Sequence, residues 1–170
     1  VLYSECPTLF KGYYVGILDT DEINAFATSG GHILISRGLI ECANSEDALA
    51  AVLAHEIAHI QLEHSLHAIK TSRVTDAITK TTFAAATVLS EGEFKEFTDA
   101  FGDAVDDIVA EMVDSGYSKS QEFDADSNAL KIMAAAGYNP KAMNDMLLVL
   151  EENTDTQEGW GKTHPTPKKR

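Results

Sequence analysis

Five consecutive residues of this chain, His55-Glu56-Ile57-Ala58-His59, combine the groups needed to hold a metal ion and to move a proton beside it. Two imidazoles four residues apart on a helix lie one above the other on the same face, so both reach a single ion at about 2.0–2.1 Å. Glu56 sits beside that face, within reach of a water on the metal rather than of the metal itself. With 6 histidines and 14 glutamates in 170 residues, chance supplies the HExxH spacing only about 0.02 times in such a chain. The chemistry implied is hydrolysis. Zinc lowers the pKa of a water toward about 7, and a neighbouring carboxylate takes its proton and hands it to a leaving amine.

A catalytic zinc takes three protein ligands and keeps one position open, so two histidines need a partner. His64 and His67 continue the same helix past the ion and cannot close the site. The segment Glu122-Phe123-Asp124-Ala125-Asp126 places two carboxylates four residues apart on a separate helix that can pack across the first. Glu122 is better placed and can then ligate, while Asp126 can accept the outward N–H of a ligating histidine, fixing its tautomer. Asp124 points elsewhere on that helix, as one more surface acid. The expected cofactor is one zinc ion per chain, held by His55, His59 and Glu122.

Such a site needs a frame. Aromatic and β-branched residues predict a strand within residues 12–19, and a second at Gly30–Ser36 follows the short segment Asn24–Thr28. Beyond Arg37 the periodicity turns helical. Ser45 caps a run rich in alanine and leucine from Glu46 to His64. Helical spacing continues from Ala68 to Ser115, where Phe94, Phe97, Phe101, Val105, Ile108 and Met112 mark a core face. Another helix, Ser120 to Ala136, stops at Gly137. Asn139-Pro140 then opens a last one, Lys141 to Glu152, before a loop-like tail. The class is α+β, mainly α-helical, with a small N-terminal sheet beside the HExxH helix.

Length and composition fit one globular domain over 1–170, cut from a longer parent: 170 residues, 44% hydrophobic and 24% charged. A balance of 13 basic against 27 acidic side chains excludes nucleic acid as a partner, because phosphate needs a clustered cationic surface. Between Glu91 and Asp126, 12 acids face only Lys95 and Lys119, a local net of −10 that reads as a solvated helix face. Cys6 and Cys42 are too few for a disulfide scaffold, though one bridge fits. No apolar run reaches the roughly 18 residues of a membrane span, and the first residues lack a signal-peptide pattern. A leader or lipid anchor removed upstream is compatible with this, so compartment is not read from composition. Peripheral membrane association and the oligomeric state stay open.

Four elements in order, INAFATSGGHILISRGLIE, HEIAHIQLEH, QEFDADSNAL with AGYNP, and THPTPKKR, resemble the gluzincin-type zinc endopeptidase family that includes the CaaX prenyl protease and HtpX. They cover most of residues 12–170. The resemblance implies a zincin-like metallopeptidase domain with Glu122 as third ligand, Asp126 behind a ligating histidine, and His164 facing the active site. His164 would be a donor to the oxyanion or a cap on the zinc in a resting state. Arg170 falls where the family carries arginine. Lacking the membrane spans of HtpX-like members, residues 68–115 point to a soluble or peripheral branch. From the same resemblance come unfolded or misassembled polypeptide substrates and a bacterial cell-envelope, periplasmic or membrane-associated location.

A peptide substrate presents its carbonyl best when extended along an edge strand. The candidate is Asn24–Ser36, with Asn24 opening it and Gly30 and Gly31 allowing close backbone approach or simply a turn. His32, alternating with Ile33, reads as a half-buried structural histidine. Two rivals remain. A peptide deformylase would use a cysteine ligand such as Cys42, but Cys42 stands only a short loop before the helix and Glu122 would have no task. A zinc-containing chaperone-like or latent binding module would hold the metal without cutting. The vacancy left by two His and one Glu, and the presence of Glu56, argue for catalysis.

Overall fold

Alternation in β3 (His32–Ser36) turns Ile33 and Ile35 into the core, while β1 (Tyr14–Leu18) leaves Tyr14, Val15 and Ile17 at the surface. The computed structural model describes residues 12–28, 30–65, 67, 116–153, 160, 161 and 164. The phenylalanine series of 94–101, Cys6 and Arg170 lie outside them.

Three strands form one sheet in the order β1-β3-β2. β1 runs parallel to β3, with Tyr14 opposite His32 and Leu18 opposite Ser36. β2 (Ala25–Ala27) is antiparallel, with Ala25 opposite Ile35. The span Asn24–Ser36 is therefore not one edge strand. It is a hairpin in which, among the described residues, β2 forms the edge and β3 the centre. Gly30 and Gly31 lie in its turn. Gly31 has φ 85°, a left-handed conformation that costs glycine nothing, and its N–H donates to the Thr28 carbonyl at 3.1 Å. His32 is exposed rather than half-buried and stacks on Tyr14 at 5.3 Å.

Ser36 closes β3 and caps α1 (Arg37–Cys42), its hydroxyl accepting from Leu39 N at 3.1 Å and Asn24 N at 3.0 Å. Ser45 caps α2 (Glu46–Gln61) through Ala48 N at 3.1 Å. α2 ends earlier than the run to His64 suggests. Its alanines serve packing as well as propensity. Ala51, Ala54 and Ala58 meet Ala125 and Ala129 of α3 (Lys119–Ala136) in one buried cluster, and such short side chains let two helix axes come close. α3 begins in a capping box between Ser118 and Gln121 and stops at Gly137, φ 85°.

α4 (Ala142–Asn153) lays Met143, Met146 and Leu150 against the other side of α2. With the sheet on a third side, α2 is buried nearly all round from Ala50 to Ile60. The Asn139 side chain accepts from Lys141 N at 3.1 Å at the turn before α4. In the tail, Trp160 and Gly161 are helical and Trp160 is buried. None of the helices among the described residues is long and apolar enough to cross a membrane.

Candidate metal centre and active site

α2 presents His55 and His59 on one face, one turn apart, with Nε2 atoms 3.0 Å from each other. α3, drawn close by the alanine seam, brings Glu122 Oε2 to 3.6 Å from His55 Nε2 and Oε1 to 3.4 Å from His59 Nε2. His164 completes the group, its Nε2 4.0 Å from Glu122 Oε1. One ligand atom from each of His55, His59, Glu122 and His164 lies within 4.8 Å of all the others, and all four residues are buried.

This donor set fits zinc. Ligand atoms at about 2.0–2.1 Å from a tetrahedral ion stand about 3.3–3.4 Å apart, close to the separations between the two imidazoles and the carboxylate. Glu56 and Glu122 are both 0% exposed. Two carboxylates removed from water are costly unless positive charge offsets them, and a dication there supplies it. Cys42 ends α1 and is not among the grouped ligands, so a deformylase-like cysteine set has no support. Burial and the nearby Glu41 carboxylate raise the Cys42 thiol above its ordinary pKa.

Around the group the structure places the remaining residues singled out from the sequence. Asp126 Oδ1 stands 3.0 Å from His55 Nδ1, on the side of that ring away from His59. Glu56 Oε1 is 3.5 Å from His164 Nε2. Asp124 is exposed. Asn24 sits just before β2, its carbonyl accepting from Ser36 N at 2.9 Å. Gly30 and Gly31 are in the β2–β3 turn and not in the ligand group.

Two contributors, Trp160 and Tyr117, were not singled out from the sequence, and a third, His64, was set aside as a ligand without a role. Trp160 stacks on His164 at 3.8 Å and 12°, and its backbone N–H donates to Ile23 O at 2.9 Å, so the same residue touches the His164 ring and the start of β2. Tyr117 stacks on His59 at 4.0 Å. Burial and the carboxylates of Glu56 and Glu122 push its phenol above the usual tyrosine range. His64 sets its Nδ1 2.9 Å from His59 Nδ1. Burial and His59 lower its pKa to about 4, so at neutral pH it is an uncharged imidazole. The signals were faint: the single tryptophan of the chain four residues before His164, and a third histidine after the motif.

The sequence pattern of peptidase family M48 matches residues 7–170. The chain belongs to that family. As an M48 member it is a zinc metallopeptidase domain, with zinc as its cofactor. It is 32% identical over 154 residues to the mitochondrial metalloendopeptidase OMA1 of Schizosaccharomyces pombe, covering 86% of this chain and 41% of that protein. To the β-barrel assembly-enhancing protease of Escherichia coli it is 24% identical over 172 residues, 99% of this chain and 35% of the relative. The metalloprotease YcaL of Escherichia coli is 27% identical over 141 residues, 81% of this chain and 48% of the relative. The M48 chain therefore spans less than half the length of each of these curated relatives.

Proposed function

We propose that this M48 domain is a metalloendopeptidase that cuts unfolded or misassembled polypeptides, with His55, His59 and Glu122 as zinc ligands and Glu56 as general base. The observation that carries the reading is the buried convergence of two imidazoles and a carboxylate from two helices, with a second buried carboxylate, Glu56, beside them. Zinc bound there supplies a Lewis acid that polarises a peptide carbonyl and acidifies water.

The chain's own residues do the rest. Glu56 takes a proton from the attacking water and delivers it to the leaving amine. Its backbone is locked inside α2, so the carboxylate is held in place before substrate arrives. Asp126 accepts the Nδ1 proton of His55 and keeps the opposite nitrogen basic. An extended substrate adds to the β2 edge from Asn24, with the Gly30–Gly31 turn leaving room at its end.

Substrate class and location rest on the relatives. Several are named β-barrel assembly-enhancing proteases, which supports misassembled polypeptides, protein quality control and a bacterial cell envelope, periplasmic or peripheral to a membrane. Residues 1–170 act as one domain of a longer parent.

His164 favours a second reading beside the first. Its place in the ligand group makes it competent as a further ligand in a latent state, as well as a donor to the oxyanion. One assay addresses both, the cleavage of an unfolded casein with zinc content measured in parallel. Glu56→Gln should keep its zinc and lose about 10²–10⁴-fold in rate. Unchanged cleavage by that variant would remove Glu56 from the chemistry. His164→Ala should slow cleavage if the imidazole serves the oxyanion and speed it if the imidazole caps the zinc.

A further inference from the structure

His64 is one histidine of the cluster that the scheme above leaves idle. It stands five residues past His59, and on an unbroken helix it would lie about 140° away around the axis. The helix is broken instead. α2 ends at Gln61, and Glu63 takes φ 53°, a left-handed conformation that residues other than glycine seldom adopt. Glu63 N–H donates to Ile60 O at 3.1 Å across the break. The reversal swings His64 back, buried, until its Nδ1 lies 2.9 Å from Nδ1 of His59 with ring centroids 4.9 Å apart. Tyr117 holds the His59 ring by its face, and its phenol hydrogen-bonds Ser65, the residue after His64. His59 is thus fixed at its outer nitrogen and across its plane.

A neutral imidazole carries one N–H. If Nε2 of His59 faces a metal, its proton is on Nδ1, and the nitrogen opposite must accept. That admits a single arrangement, in which His59 Nδ1–H donates to His64 Nδ1 and the proton of His64 is on Nε2. We propose that His64 is a positioning residue, which holds His59 in the tautomer and orientation that present its Nε2 to zinc. This rests on the zinc reading above. The two histidines of the motif are then supported unequally, His55 by the carboxylate of Asp126 and His59 by an uncharged imidazole. A carboxylate at position 64 would add another anion beside Glu56 and Glu122, both already buried. An imidazole satisfies the N–H without that cost.

The test is zinc affinity by chelator competition on the full chain, for wild type, His64→Phe and His64→Asn. Phenylalanine keeps the ring and loses the acceptor, and should weaken zinc roughly 10–100-fold. Asparagine, whose side-chain oxygen falls near the position of Nδ1, should recover most of that loss. Equal affinity of wild type and His64→Phe would overturn the proposal while leaving the zinc reading intact. A folded wild type that takes up no zinc would overturn the zinc reading itself, and the proposal with it. Should His64→Phe fail to fold, the zinc-loaded wild type decides alone by histidine ¹⁵N spectra. The proposal requires His64 to be protonated on Nε2, with a nitrogen–nitrogen coupling across the bond to His59. A proton on Nδ1 of His64 would refute it.

Discussion

At the scale of single residues, the site is a chain of rings and carboxylates in contact, and on the proposed reading each group settles the proton of the next. His55 lies between Asp126 at 3.0 Å and the shared ligand position, and His59 has the matching place with His64 at 2.9 Å. Asp126→Asn tests this link. An amide can turn its NH₂ toward His55 and favour the wrong tautomer, so zinc affinity should fall about 10–100-fold while the fold is kept. Chelator competition checks it, and unchanged affinity would reduce Asp126 to a surface acid. The pairs His55/His59 and Glu122/Asp126 were legible in the sequence as same-face pairs, because helical spacing puts i and i+4 on one face, and the structure brings the two pairs together. The place of His64 was not legible. Its contact depends on a reversal at Glu63, and the stretch Ile60-Gln61-Leu62-Glu63-His64 has no glycine to announce one. Trp160 escaped for a related reason, since stacking on His164 across a short tail has no period to read.

Elements were legible where a local signal fixes them. Ser45 accepts from a first-turn amide, and Gly137 ends α3 in a left-handed conformation, both of them chemistry within a few residues. Pairing in the sheet is not local. The sequence offers a strand at Gly30–Ser36 after the short segment Asn24–Thr28, but their pairing through the Thr28–Gly31 turn, with β3 in the centre of the sheet, comes only from the structure. α1 depends on a similar long-range fit. Gly38 is buried, its N–H donates to Thr20 O at 3.0 Å, and a Cβ at this position would overlap the carbonyl of Asp21. The neighbouring Arg37 pairs with Asp19 at 3.0 Å and Glu41 at 3.1 Å, but these are exposed pairs of small value. Gly38→Ala should therefore destabilise by about 1–3 kcal/mol, because the obstacle is backbone and cannot rotate away. In urea the midpoint should drop with an unchanged slope. An alanine variant as stable as wild type would mean that the turn at 19–22 is free to shift.

For the whole molecule, the organising fact is that a helix carrying two histidines and a glutamate is buried on nearly every side. Short side chains on α2 and α3 bring Glu122 to the histidines, while α4 and the sheet close the other flanks. A net charge of −14 disfavours nucleic acid, and membership of a peptidase family implies polypeptide substrates for this M48 domain. It spans 41% of one curated relative and 35% of another. Whether α2 and α3 jointly build a zinc site is decided by metal analysis of the purified chain beside Glu122→Ala. One zinc per wild-type chain is expected, with loss of that zinc in a folded Glu122→Ala. A folded wild type without zinc, or a Glu122→Ala variant that holds zinc as tightly as wild type, would contradict a joint site.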